Sequence, residues 1–376
     1  MALPRSKYVQ DGQEGVYHCF SRCVRRAFLY GFDTLTGRDF SHRKAWLVDR
    51  LRHLASIFAI DVCAYAVMAN HYHVILRTRP DIVARWSDRE VATRWLRLFP
   101  RHRGLRGTPI PPTDKELSAL ADCPERIAQL RRRLSSLSWF MGRLNEFIAR
   151  AANKEDNVKG RFWEARFKCQ TLLDEAAIAS SMVYVDLNPI RAGVAATPEE
   201  SDFTSIQARI RAWRKQTTTT PSVPGAEPAP DMHPGSVGRC TTAPENTVEV
   251  SPIPDRLSVW AHPLDGWLCP IQSESERRGI LRMTAAEYFD LVDKSGRMAR
   301  ADKPGAIDAD LAPILLRIGT NPDTWLDTIS HFGSNFRLAA GRVASLRNFA
   351  DGLGRRWFQG AASARVAFAS SSPKLA

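Results

Sequence analysis

Apolar and polar residues alternate across 15–23, GVYHCFSRC, which predicts a strand. Along 43–60 the period lengthens, with Leu47, Leu51, Leu54 and Phe58 at helical spacing, so a helix follows. Residues 61–78, DVCAYAVMANHYHVILRT, read as two strands folded on a turn at Ala69-Asn70, because asparagine tolerates the backbone angles of a tight hairpin. Residues 79–133 read as a helical insertion, with capping-box signals at Ser87–Glu90 and Thr113–Glu116 on either side of RHRGLRGTPIPPT. Across 131–153, Leu134, Leu137, Met141, Leu144 and Ile148 share one helical face, and Arg131, Arg132 and Arg133 open that helix as a solvated face. The basic, aromatic stretch 160–173 holds a further strand. A last helix starts near Asp174 and stops before Pro189, which disfavours helix at the residue preceding it.

The order strand, helix, two strands, helix, strand, helix predicts an α+β fold, a ferredoxin-like antiparallel sheet backed by helices, over 1–213. Residues 214–256 hold few large apolar side chains and cannot offset the entropy of ordering, which predicts a disordered linker. Helical patterns return at 284–300, 310–319 and 323–346, so 257–346 reads as a small all-helical accessory domain, closed by a basic tail at 347–376. No internal repeat is visible.

Composition narrows the class. The 376 residues exceed what one core usually fills, and 44% are aliphatic or aromatic, so a sizeable interior needs no staples. No apolar run approaches the roughly 20 residues that span a bilayer, and the first residues lack the apolar stretch of a signal peptide. No membrane partner and a cytoplasmic, nucleoid-associated location are therefore expected. Seven cysteines at irregular spacings, with no CxxC pair, argue for reduced thiols and against a disulfide scaffold or zinc ribbon. A net charge of +13, carried mostly by arginine, points to a polyanionic partner, since the planar guanidinium can bind two phosphate oxygens.

Strand geometry sets the candidate chemistry. His71, His73, Ile75 and Arg77 project from one face of their strand while Tyr72, Val74 and Leu76 project from the other. Same-face neighbours lie roughly 7 Å apart at the backbone, close enough for two imidazoles to reach one divalent metal, although a pair of half-exposed strand histidines fits the same pattern. Tyr184 and Asn188, four residues apart, face the same side of a helix, where a phenol and an amide oxygen suited to Mg²⁺ or Mn²⁺ can share a site. The competing structural roles are a buried tyrosine and an asparagine capping the helix before Pro189. His18, beside Tyr17, reads as a strand histidine without catalytic consequence.

MANHYHVIL, GRFWEARFKCQTLLDEA and YVDLNPIRAG, with the opening YHCFSRCVRR, resemble the single-tyrosine HUH transposases of the insertion-sequence-200-like and REP-associated kinds, over roughly residues 10–210. The resemblance implies an HUH endonuclease fold in which His71, His73 and Asn188 bind a divalent metal and Tyr184 is the nucleophile. It further implies nicking and joining of single-stranded DNA near hairpins of the repetitive palindromic type, through a 5′-phosphotyrosine. Two departures from the family pattern, Ala69 where proline is frequent and Cys23 where glycine is frequent, remove none of these groups.

Arg22, Arg161, Arg166 and Lys168 are candidate DNA contacts, with Phe162 expected in the core and Trp163 open to stacking on a base. One tyrosine per chain makes a homodimer attractive for joining two ends. Two further readings stay open: a domesticated DNA-binding protein that does not cleave, and a metal-dependent phosphodiesterase that uses water.

Overall fold

The computed structural model describes residues 4–24, 30–33, 37–105, 107–219, 266–298, 311–356 and 358–368. Five strands form the main sheet, in the spatial order Ile60–Val67, His71–Thr78, Val16–Arg22, Lys168–Leu172 and Ala339–Ala340. The first four pair antiparallel, in the order and directions of a ferredoxin-like sheet, and the two-residue strand joins the edge in parallel. The predicted α+β class is the observed one. The hairpin turns through Met68, Ala69 and Asn70, closed by the Met68 N–H donating to the His71 carbonyl at 2.8 Å.

Helices Arg43–Ala55 and Leu137–Glu155 cover one sheet face, where Tyr17, Cys19, Tyr72, Val74 and Leu76 meet Leu47, Leu51, Phe140, Met141, Leu144 and Ile148. Each fully buried side chain of this size contributes about 1.5–3 kcal/mol. Arg43, 1% exposed at the start of the first helix, pairs with Glu155 and Asp156 at the end of the second and pins the two together. The insertion packs on the same side, with Ser87 accepting from the Glu90 N–H and a complete capping box at Thr113 and Glu116.

Helix Glu175–Asp186 covers the opposite face, capped by Asp174 accepting from the Ala177 N–H, and the C-terminal segment joins it in one core with Ile75, Ala64 and Leu172. Because both faces are buried, the strands are nearly continuously apolar, and their few polar residues stand out.

Local expectations differ at three places. Arg131–Arg133 close helix Pro124–Leu134 rather than open the next one; Arg131 pairs with Asp88 and Arg133 lies over Trp139, a favourable placement for cations at a helix C-terminus. The expected helix 323–346 is broken into Trp325–Ser330 and Phe332–Asn335, followed by the edge strand, because Ala339 and Ala340 pair with the sheet instead. The Ser205–Thr219 helix extends past the expected start of the linker at 214, and residues 220–256 of that linker lie outside the described residues, as do 369–376 of the tail. No described helix is long and apolar enough to cross a membrane. The cysteines among the described residues are free thiols.

Candidate active site

The alternation of the His71–Thr78 strand delivers His71 and His73 to the face that carries helix Glu175–Asp186, and Tyr72 to the opposite face, where its hydroxyl donates to Asn145 Oδ1 at 2.6 Å. The two imidazole centroids lie 5.0 Å apart, and the Tyr184 ring lies 5.7 Å from His73. Together they line a cavity of about 210 Å³ with Phe20, Arg22, Arg166 and Lys168. Of the candidate DNA contacts, Arg22, Arg166 and Lys168 therefore reach this cavity, while Arg161 is exposed and is not part of its lining. Phe162 is buried, and Trp163 is held by its indole N–H donating to the Asn145 carbonyl and by edge contacts with Tyr72 and Phe162, which anchor its ring in the wall of the core.

His18, a strand histidine as expected, also contacts a candidate site residue. It is buried, and its Nε2 lies 2.8 Å from His73 Nδ1, while its Nδ1 lies 3.4 Å from Gln170 Oε1. The proton positions follow by chemistry. Gln170 Nε2 donates to the Phe336 carbonyl, which turns the amide so that Oε1 faces His18. An amide oxygen only accepts, so His18 carries its proton on Nδ1 and accepts at Nε2; His73 then donates from Nδ1 and keeps a lone pair on Nε2. His71 is set in the same way, its Nδ1 donating to Asn70 Oδ1 at 2.7 Å. Burial holds both rings neutral: His71 is lowered to about 4 by burial and by nearby Arg22, and His73 well below its usual range by burial, His18 and His71.

Two neutral imidazoles, each fixed through Nδ1 and open at Nε2, form a donor pair that fits a divalent ion, with the outer hydrogen bonds that metal-bound histidines need. Asn188 begins a separate turn, Asn188–Arg191, and its Nδ2 donates to the Tyr184 carbonyl at 2.9 Å, so it realises the capping role expected of an asparagine there; it is not part of the lining of the cavity that holds His71, His73 and Tyr184. Among the described residues no three histidine, cysteine or carboxylate side chains converge as a ready metal cluster.

Tyr184 is half-buried and its pKa is raised by burial, against the lowering effect of the Arg191 guanidinium, 5.3 Å over the ring, and of the Asn188 amide. The C-terminal segment closes over the phenol: the Phe332 ring lies 6.0 Å from that of Tyr184, and a Cβ on Gly333 would fall 3.1 Å from the Tyr184 hydroxyl. Sequence reasoning missed His18, Gln170, Arg191 and this segment. Only the His18 and Gln170 alternation was visible in the chain, and its meaning depended on which strands became neighbours.

No family model matches the chain, and no curated protein does. Among solved structures, the chain is similar to a REP-associated tyrosine transposase bound to a REP hairpin, at 12% identity and a TM-score of 0.33, across 63% of this chain and 98% of that one.

Proposed function

We propose that the protein is a transposase-like enzyme that nicks and rejoins single-stranded DNA, with Tyr184 as nucleophile. One observation carries the reading: a phenol, two imidazoles with open Nε2 lone pairs and three cations line a single cavity. The motif resemblance to single-tyrosine HUH transposases supports the same reading.

Arg22, Arg166 and Lys168 would hold and orient the strand through its phosphates. Tyr184 Oη then bonds to phosphorus as the P–O3′ bond breaks, leaving a 5′-phosphotyrosine and a free 3′-hydroxyl. Attack by another 3′-hydroxyl reverses the step and joins strands, and no nucleotide cofactor is needed because the phosphotyrosine bond retains the energy of the linkage. Arg191, over the phenol ring, favours the developing phenolate. His71 and His73, with Asn188 Oδ1, would hold Mg²⁺ or Mn²⁺, which when bound supplies Lewis-acid polarisation of the phosphate.

The test is a denaturing gel of the full chain incubated with labelled hairpin-bearing single strands and Mn²⁺, beside Tyr184→Phe. A labelled protein band that needs both metal and Tyr184 is the expected result; equal nicking by Tyr184→Phe would assign the attack to water instead. Gly333 packed on the phenol favours a second reading, a DNA-binding protein that does not cleave, and it predicts binding with no adduct under any condition.

A further inference from the structure

Beside the Tyr184 cavity runs a larger groove, of about 1160 Å³, that the resemblance does not account for, because one wall is built by the C-terminal segment. Lys168 and Phe20 line both spaces, so the groove lies directly beside the site. Arg337, Arg355 and Arg356 supply the far wall and Lys168 the near one, and no aspartate or glutamate lines it.

Among the described residues some exposed arginines elsewhere are paired with a carboxylate and others, such as Arg132, Arg161 and Arg347, are not, so the groove's cations stand out by facing one common space. Arg85, Arg89 and Arg297 are each paired with a carboxylate, Asp81, Asp114 and Asp293. Arg337, Arg355, Arg356 and Lys168 are exposed, and among the described residues none of them has a carboxylate partner. Four unneutralised charges facing one groove repel each other, and an external polyanion relieves that repulsion. The half-buried Phe20 ring, with Lys168 Nζ 5.6 Å above it, adds an aromatic face of the kind on which an unpaired base stacks. Edge access to a flat ring suits a single strand, whose bases are free, and not a duplex.

We infer that this groove is a binding track for single-stranded DNA, and that the C-terminal segment serves the enzyme by carrying the strand that flanks the scissile phosphate. The inference deepens the nicking reading, since the track lies beside the Tyr184 cavity, but its readout is affinity and not cleavage.

The experiment uses the full chain and the combined variant Arg337→Gln, Arg355→Gln, Arg356→Gln. Binding of a labelled oligothymidine strand, and of its duplex with oligoadenine, is followed by fluorescence anisotropy across a salt series. Each lost phosphate contact lowers the slope of log K against log salt by about 0.7 for single strands, so the combined variant should lower it by about 2. Arg355→Gln alone, which lines the groove and not the Tyr184 cavity, should lower it by about 0.7, and it carries the test if circular dichroism shows the combined variant unfolded. An unchanged slope overturns the track, and an equal loss on the duplex overturns its assignment to single strands. The adduct assay separates the two readings. A slope that falls in a protein forming no adduct sinks the nicking reading alone, whereas normal adduct with an unchanged slope sinks the track alone.

Discussion

His18 Nε2 accepts from His73 Nδ1 at 2.8 Å, and this contact decides which nitrogen of His73 faces the Tyr184 cavity. The chain of bonds begins at the Phe336 carbonyl, so the C-terminal segment sets a proton position inside the site through Gln170 and His18.

Replacing His18 by phenylalanine keeps the bulk but removes the acceptor. Mn²⁺ affinity, measured by titration calorimetry, should fall about 10–100-fold, the usual cost of losing such an outer partner. Unchanged affinity with an intact fold would show that His18 does not set the His73 tautomer.

Gly333→Ala places a methyl group 3.1 Å from the Tyr184 hydroxyl, closer than a comfortable contact. The phenol must shift by a few tenths of an ångström, and adduct formation should slow by about tenfold while strand affinity stays at the wild-type level. Quenched-flow adduct rates and anisotropy on the same preparations separate the two effects; a matching loss of affinity would argue against a purely positional role.

Tyr72→Phe tests the other face of the histidine strand. Tyr72 donates to Asn145 Oδ1, and Asn145 Nδ2 donates to Ser21 Oγ at 3.0 Å, so the variant leaves a partly buried acceptor without this donor. Denaturant unfolding should show a loss of about 1–3 kcal/mol, with Mn²⁺ binding unaffected because the hydroxyl points away from the cavity.

Asp186 predicts a pH dependence of stability. Its carboxyl is fully buried, accepting from Ser205, the Ile206 N–H and Tyr288, and burial raises its pKa from 3.8 to about 6. A raised folded-state pKa means that the folded chain holds a proton which the unfolded chain has lost. The contribution is therefore complete below pH 3.8 and disappears as pH rises through about 6, a change of about 3 kcal/mol. Asp186→Asn, whose amide can donate to the Tyr288 oxygen, should flatten this part of the profile between pH 4 and 6 when thermal unfolding of the two proteins is compared. Parallel profiles would contradict a proton on Asp186.

Short-range pattern made much of the molecule legible. The two-residue period put His71 and His73 on one face, the caps at Ser87, Thr113 and Asp174 marked helix starts, and the strand and helix order implied the sheet. These features depend on neighbours a few positions apart, which the chain itself fixes.

The rest depended on contacts between distant segments. His18 meets His73 only because the Val16–Arg22 strand lies beside His71–Thr78 in one register, and a shift of one residue would have turned its ring to the other face. Phe336 fixes Gln170, and Gly333 reaches Tyr184, because Ala339 and Ala340 pair with the sheet edge and draw the preceding residues over the site. Thus the residue types and the face they occupy were determined by the sequence, whereas the tautomers, the cover over the phenol and the basic groove were decided by tertiary pairing, whose register no local period encodes.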